Sequence, residues 1–442
     1  MPLAPHMRHP RCPHRRFLWL LLAAALSAAV MGRADSIHAQ NAPDTLRLSL
    51  VDARALALRG HPDLTAARLE TLAARGALSQ ARTYPFNPQV EVEGGTEERL
   101  GERRDYLVAI EQEIEWAGQR GLRIDAAESG LRAAEFTVAD AERLTLTTVS
   151  IEYLTALVAE RQLLLARQVL GLNQQLFDAA RSRFDAGDIS GLELNLARIE
   201  VGRARTRLIT AERDAAVALL TLRRGLGLPA KTPIVLVDEG IAAPRPRSLD
   251  GDSLLALALT RRPDLAALER EAGRLAAEAR LARRAAVPNP ILRAVREAED
   301  GQPPSLDIGL VLPFPLFNRN RGAAAQLDAL AEQVRLRRVA LESRVRVEIG
   351  QALTSYAAAA EATAVFERDV LAQARENQAL LEEGFEAGKF GLAEVLLIRN
   401  QLIESELEYW ASWLARGAAL VELEAATGTL VPDRSPIPTE RE

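Results

Sequence analysis

Side chains able to hold a soft metal or move a proton at neutral pH are nearly absent beyond residue 39. Of five histidines, three methionines and one cysteine, only His61 lies past that point. One imidazole cannot build a thiolate–imidazole metal site or supply an acid–base pair. No nucleophile–base pair, phosphate loop or metal-ligand cluster can be read, so the expectation is no enzyme, no catalytic residue, no cofactor and no metal site. What remains is acidic. Glu91 and Glu93 alternate with valines, and Glu111 and Glu113 repeat the pattern. Further carboxylates gather at two related tetrads: Phe184-Asp185-Ala186-Gly187, followed by Asp188 and Glu193, and Phe385-Glu386-Ala387-Gly388, followed by Glu394.

The elements that carry these residues begin after an address label. Arg8, Arg11, Arg15 and Arg16 precede the apolar run Phe17 to Val30, and small residues follow at Ala34 and Ala39. This pattern predicts a secretory signal peptide over 1–39, cleaved after Ala39 or, as second choice, Ala34. Cys12 lies before the apolar run, which does not place it as a lipid-bearing cysteine. Loss of 1–39 removes five arginines and Asp35, moving the formal charge from −5 to −9 (50 Lys+Arg against 59 Asp+Glu). An acidic chain with scattered arginines is a poor nucleic-acid ligand. No later stretch approaches 18 consecutive apolar residues, so any membrane contact must come from strands.

Alanine, leucine, arginine and glutamate dominate and aromatics are only 4 %, a composition of long helices. The run from Leu122 to Gly187 contains no proline, and as one helix it would be roughly 100 Å long. A second proline-free run extends from Gly322 to Gly388. Compared with itself at a shift of about 201 residues, the chain repeats its landmarks in order: Pro62-Asp63-Leu64 with Pro263-Asp264-Leu265, Asn87-Pro88 with Asn289-Pro290, Arg120-Gly121 with Arg321-Gly322, the two tetrads, and Gly227 with Gly428. His61 falls opposite Arg262 and reads as a solvated residue before a helix-starting proline. The predicted organisation is therefore a first repeat over 48–229, a linker over 230–248, a second repeat over 249–430 and a disordered tail over 431–442.

Each repeat is expected to open with two helices, the second ending near Arg82 or Arg284. Two strands follow, then a long helix, a glycine tip and a return helix. The return helices are expected over about Leu192–Leu226 and Leu392–Ala426. Val90 and Val92 oppose Glu91 and Glu93 in one strand, and Tyr106, Val108, Ile110, Gln112 and Ile114 share a face of the next. Ile291–Arg296 and the set Leu306, Ile308, Leu310 and Leu312 are the second pair. Leu163, Leu170, Phe177 and Phe184, and Leu327, Val334 and Leu341, keep a seven-residue beat that predicts a coiled-coil-like seam. Gly187 and Gly388 suit a left-handed turn. Four strands cannot close a membrane barrel, for which eight or more are needed. Three chains would supply twelve.

These features resemble the TolC-like outer-membrane efflux proteins, nearest the branch that serves cobalt-zinc-cadmium cation efflux. The resemblance covers about residues 48–430. It rests on His61-Pro-Asp-Leu64, Pro85-Phe-Asn-Pro88, Glu111 to Gly121, Leu312 to Gly322 and the two tips, in order on a duplicated unit. It implies a mainly α fold with a small membrane β-barrel part: a homotrimer with a twelve-stranded barrel in outer-membrane lipid and a periplasmic tunnel of long helical hairpins. It also implies a periplasmic adaptor protein and an inner-membrane RND-type pump as partners. Acidic residues past the second tip glycine guard the tunnel mouth in that family. The first such position falls on Glu394; the second falls on Leu397, a departure from the paired pattern. Glu386, Gly388, Asp185, Gly187, Asp188 and Glu193 complete the tip candidates. Glu91, Glu93, Glu111 and Glu113 are the candidates for a cation-attracting barrel lumen.

The expected function is thus the outer-membrane exit duct of a tripartite efflux system for divalent heavy-metal cations. A duct for organic compounds, or for protein secretion, is the alternative within the same class. A periplasmic coiled-coil scaffold without a barrel is the alternative outside it. Trp116 is expected at a strand-to-helix interface, and Trp410 and Trp413 in the packing of the return helix.

Overall fold

Caps and breakers set the helix ends. The computed structural model describes residues 45–97, 103–237, 250–299, 302–386 and 389–430. The predicted signal peptide, the tail from 431 and Gly388 lie outside the described residues, as does most of the predicted linker. Contact patterns divide the chain into two units. The smaller comprises Met1–Leu46 with Thr232–Val235, and in it the Leu46 amide donates to the Pro233 carbonyl at 3.0 Å.

The larger unit, Arg47–Lys231 with Leu236–Glu442, is mainly helical. Helix α1 (Leu50–Gly60) starts at Ser49, whose hydroxyl accepts from the Asp52 amide while the Asp52 carboxylate takes the Ser49 amide and hydroxyl. This reciprocal cap satisfies donors that a helix start leaves open. Proline at the first position begins α2 (Pro62–Arg82), and His61 caps it, Nδ1 accepting from the Asp63 amide at 3.3 Å. Helices α5 (Gly251–Arg261) and α6 (Pro263–Arg284) follow the same scheme, α5 capped by Asp250.

Between and after these pairs come strands β2 (Gln89–Glu97) and β3 (Arg103–Glu113), then β5 (Ile291–Ala298) and β6 (Ser305–Val311). Two further short strands are β1 (Leu46–Leu48) and β4 (Ile234–Leu236). The hydroxyl of Tyr153, fully buried, lies within hydrogen-bond distance of the Leu48 and Val237 carbonyls, at 2.9 and 2.8 Å. That helix, α3 (Gln119–Asp185), has 67 residues and returns through α4 (Gly191–Gly225). In the second half, α7 (Arg321–Val365) continues through a π-turn (Phe366–Val370) into α8 (Leu371–Glu386), and α9 (Leu392–Thr427) returns.

Two expectations need correction. The second long helix is not uninterrupted. Its π-turn lies beside an aromatic run on α9, with Phe366 edge-on to Tyr409, Tyr409 to Trp410, and Trp410 to Trp413. The seam is also displaced. Over residues 163–185 of α3 the buried positions are Val169, Asn173 and Ala180, whereas Leu163, Leu170 and Phe177 are only half-buried and Phe184 is exposed. Alanine explains the shift. Ala180 meets Ala197 of α4, where small side chains let the backbones approach and larger ones flank the contact. In α7 the expected Val334 does enter the core, with Ala331, Ala272 and Leu275.

Buried charge stitches the repeats together. Arg262, between α5 and α6, pairs with Asp264 and Glu348 at 2.6 Å each and donates to the Ala426 carbonyl. Arg143 of α3 pairs with Asp140 and donates to the Ala425 carbonyl, so two guanidiniums close the last turn of α9.

Candidate functional site: a two-faced sheet and a helical tip

Alternation along a strand becomes a two-faced surface only if the register agrees, and here it does. The sheet is antiparallel throughout, in the order β2-β3-β5-β6. Val90 pairs with Ile110 and Val92 with Val108; Ile110 pairs with Ala294, and Leu292 with Leu310. One face therefore carries Val90, Val92, Tyr106, Val108, Ile110, Leu292, Leu306, Ile308 and Leu310, interrupted by Arg296, which the register sets between Val108 and Leu306. All are exposed, Ile308 by 82 %. No described helix covers this face. Beyond β6, Phe314, Leu316 and Phe317 are also exposed. A contiguous run of exposed apolar side chains of this kind marks an interaction or membrane surface.

The other face is acidic. The register puts Glu91 opposite Ala109 and Glu111 opposite Arg293, which places Glu91, Glu93, Glu111 and Glu113 together with Glu297 and Asp307. All four carboxylates expected to share a face do so. Sequence reading missed Arg293, which lies among them and pairs with Glu111 at 3.0 Å and Glu91 at 3.4 Å. Glu113 is engaged in the junction to α3: Asn289 Nδ2 donates to it at 2.9 Å, and Gln119 donates to the same asparagine. The Asn-Pro motif thus bolts strand ends to the helix start. Trp116 sits beside it, exposed, its indole donating to the Pro288 carbonyl.

At the far end of α3, Gly187 is left-handed (φ 84°) and its amide donates to the Phe184 carbonyl, while the Asp188 amide reaches Arg183 at 2.8 Å. These bonds close the helix end. In the second tip the Lys389 amide donates to the Gly384 carbonyl at 2.8 Å, the equivalent bond. Asp185 and Asp188 are exposed on the first turn. Glu386 ends α8, its side chain outside the described residues along with Gly388.

Glu193 and Glu394 occupy equivalent positions but differently. Ser190 captures Glu193: the carboxylate accepts from the Ser190 amide at 2.8 Å and hydroxyl at 3.0 Å, and those bonds hold its carboxyl below the usual range. Gly391 replaces that serine before α9 and has no hydroxyl to offer Glu394, which is exposed in the first turn. Leu397, one turn on, is exposed by 62 %. The tips meet through Leu392 and Leu396 of α9, which pack on Ala180 and Ala197.

Among the described residues, no group of three or more His, Cys, Asp or Glu could hold a metal ion. No described helix is long and apolar enough to cross a membrane.

Comparison with known proteins agrees with this geometry. Residues 53–228 match the family described as outer membrane efflux protein. The cobalt-zinc-cadmium resistance protein CzcC of Cupriavidus metallidurans is 28 % identical over 370 residues, 82 % of this chain and 85 % of that one. The pyoverdine export outer membrane protein OpmQ of Pseudomonas aeruginosa is 30 % identical over 227 residues, half of this chain and 47 % of that protein. Among solved structures, CusC superposes with a TM-score of 0.71 at 18 % identity, covering 86 % of this chain and 92 % of that one.

Proposed function

For a chain that carries an outer-membrane efflux protein domain and shares its fold with TolC-like channels, we propose the role of outer-membrane exit duct in a tripartite efflux system for divalent heavy-metal cations. One observation carries the reading: a four-stranded sheet with one uncovered face that is apolar except for Arg296, one charged face and two open edges. In hydrocarbon an open edge leaves backbone groups unpaired, so the sheet is stable in lipid only as part of a closed barrel. Three copies supply twelve strands, with Val90, Ile110 and Ile308 toward lipid and Glu91, Glu93, Glu111 and Glu113 toward the lumen. Tyr106 and Trp116 then stand at opposite ends of the strands, where interfacial aromatics belong.

In this assembly the repeats 48–229 and 249–430 contribute paired hairpins to a periplasmic tunnel. The tips around Gly187 and Gly388 form its mouth and meet an adaptor protein and an inner-membrane RND-type pump. Glu394 is the leading mouth carboxylate, since Ser190 occupies its equivalent Glu193. Asp185, Asp188 and Glu386 add to the acidic rim. The duct needs no chemistry of its own; energy comes from the pump.

The similarity to CzcC favours metal cations. The similarity to OpmQ favours a second reading, export of an organic chelator. Deleting the gene separates them. Cobalt, zinc and cadmium tolerance is expected to fall several-fold and to return with the wild-type gene. Unchanged metal tolerance with lost tolerance or export of organic compounds would contradict the cation assignment.

A further inference from the structure

Among residues of the charged face whose side chains are described, Glu91, Glu93, Glu111, Glu113, Glu297 and Asp307 are carboxylates and Arg293 is the cation; the register adds Glu97, Asp105 and Arg103 at the far end of β2 and β3. Arg293 stands beside Glu111 on the neighbouring strand and reaches across β3 to Glu91 on the strand beyond. Its other neighbour in register is Gly309, which offers no side chain, and an added Cβ there would meet no atom within 4 Å. The guanidinium is thus bordered by carboxylates on one side and by open space on the other. Side-chain exposures of 37 % for Arg293, 50 % for Glu91 and 29 % for Glu111 leave all three in reach of solvent.

We propose that Arg293 determines the charge selectivity of the conduit. It neutralises Glu91 and Glu111 in place and prevents that pair from chelating a divalent ion. The chemistry follows from ligand type. Two glutamates converging on one point are oxygen ligands suited to a hard or borderline divalent cation. A resident guanidinium occupies that point with a charge that cannot be deprotonated. Cations are then drawn along by the remaining carboxylates but find no paired site in which to stop. On the lumen each chain contributes one such cation, and a trimer carries a ring of three. Selectivity in pores of this kind is set by rings of charged side chains.

The inference rests on the duct reading and is tested with the full-length protein in planar lipid bilayers under a potassium chloride gradient. R293Q is expected to shift the reversal potential toward cations, raising the K⁺/Cl⁻ permeability ratio several-fold. It should also lower the cobalt chloride concentration that half-blocks the current. R293K keeps the charge and is expected to stay close to wild type. The double variant E91Q/E111Q leaves Arg293 uncompensated and is expected to shift selectivity the opposite way, which supplies a readout should R293Q fail to assemble. Conducting channels whose reversal potential and cobalt block are the same in wild type, R293Q and E91Q/E111Q would overturn the inference alone. Absence of conductance from the wild-type protein would overturn the duct reading and the inference with it.

Discussion

Arg262→Ala is expected to destabilise the helical body by about 2–3 kcal/mol, below the cost of breaking a fully buried pair because Asp264 and Glu348 are 17 % and 37 % exposed. The side chain is 3 % exposed, and its five hydrogen-bonding protons are largely spoken for by Asp264, Glu348 and the Ala426 carbonyl. Alanine would strand those partners and loosen the last turn of α9. Arg143 lies 3.8 Å from Asp264 but already holds Asp140 at 2.7 Å, so it offsets the loss only in part.

The loss has a pH signature. Burial pushes the Asp264 carboxyl up, but the bonds and charge of Arg262, with Arg143, outweigh it and hold the group below the usual range. A depressed carboxyl contributes stability above its unfolded value and loses it as pH falls through the folded one. The gap between wild type and R262A should therefore be full at neutral pH and narrow below about pH 4. Thermal unfolding of the detergent-purified protein, followed by helical circular dichroism, measures both effects. An unchanged transition at neutral pH would contradict this account of the junction.

Gly227→Ala is expected to be costly where Gly187→Ala is mild, although both glycines are left-handed (φ 68° and 84°). The shared conformational cost for alanine is about 1–2 kcal/mol. At Gly187 an added Cβ meets nothing within 4 Å, so the cost ends there. At Gly227 it would come within 2.3 Å of the Gly60 carbonyl oxygen, which is backbone and cannot swing aside. Overpacking of that kind adds about 1–3 kcal/mol. Parallel melts of the two variants decide the matter. Equal transitions would show that the contact between the end of α4 and the α1–α2 junction yields without strain.

Much of the fold was legible in the chain because its signals are local. Pro62 and Pro263 mark helix starts, and α2 and α6 end at Arg82 and Arg284 as expected. Strict alternation at Gln89–Glu93 put Glu91 and Glu93 on one face, and the set Tyr106, Val108, Ile110 on the next strand left Glu111 and Glu113 for the same face, since a register slip would have sent valines into the lumen side. Arg293 escaped notice because Arg293 and Arg296 sit on opposite faces of one strand and blur its alternation. Arg262 was hidden by its own repeat: His61, its equivalent, is a half-buried helix cap, so position alone could not announce a buried cation. The seam moved because alanines, which carry little hydrophobic signal, make the closest contacts. Glu193 looked equal to Glu394 until the residue three places earlier was considered, serine in one repeat and glycine in the other.

The central claim is that the sheet of each chain is one third of a closed barrel. Native mass spectrometry of protein extracted with detergent from outer-membrane fractions tests it most directly. The account predicts a particle of three chains that needs detergent for extraction and remains trimeric in it. A chain recovered as a monomer in the soluble periplasmic fraction would contradict it, because the apolar face with Val90, Ile110 and Ile308 would then be open to water.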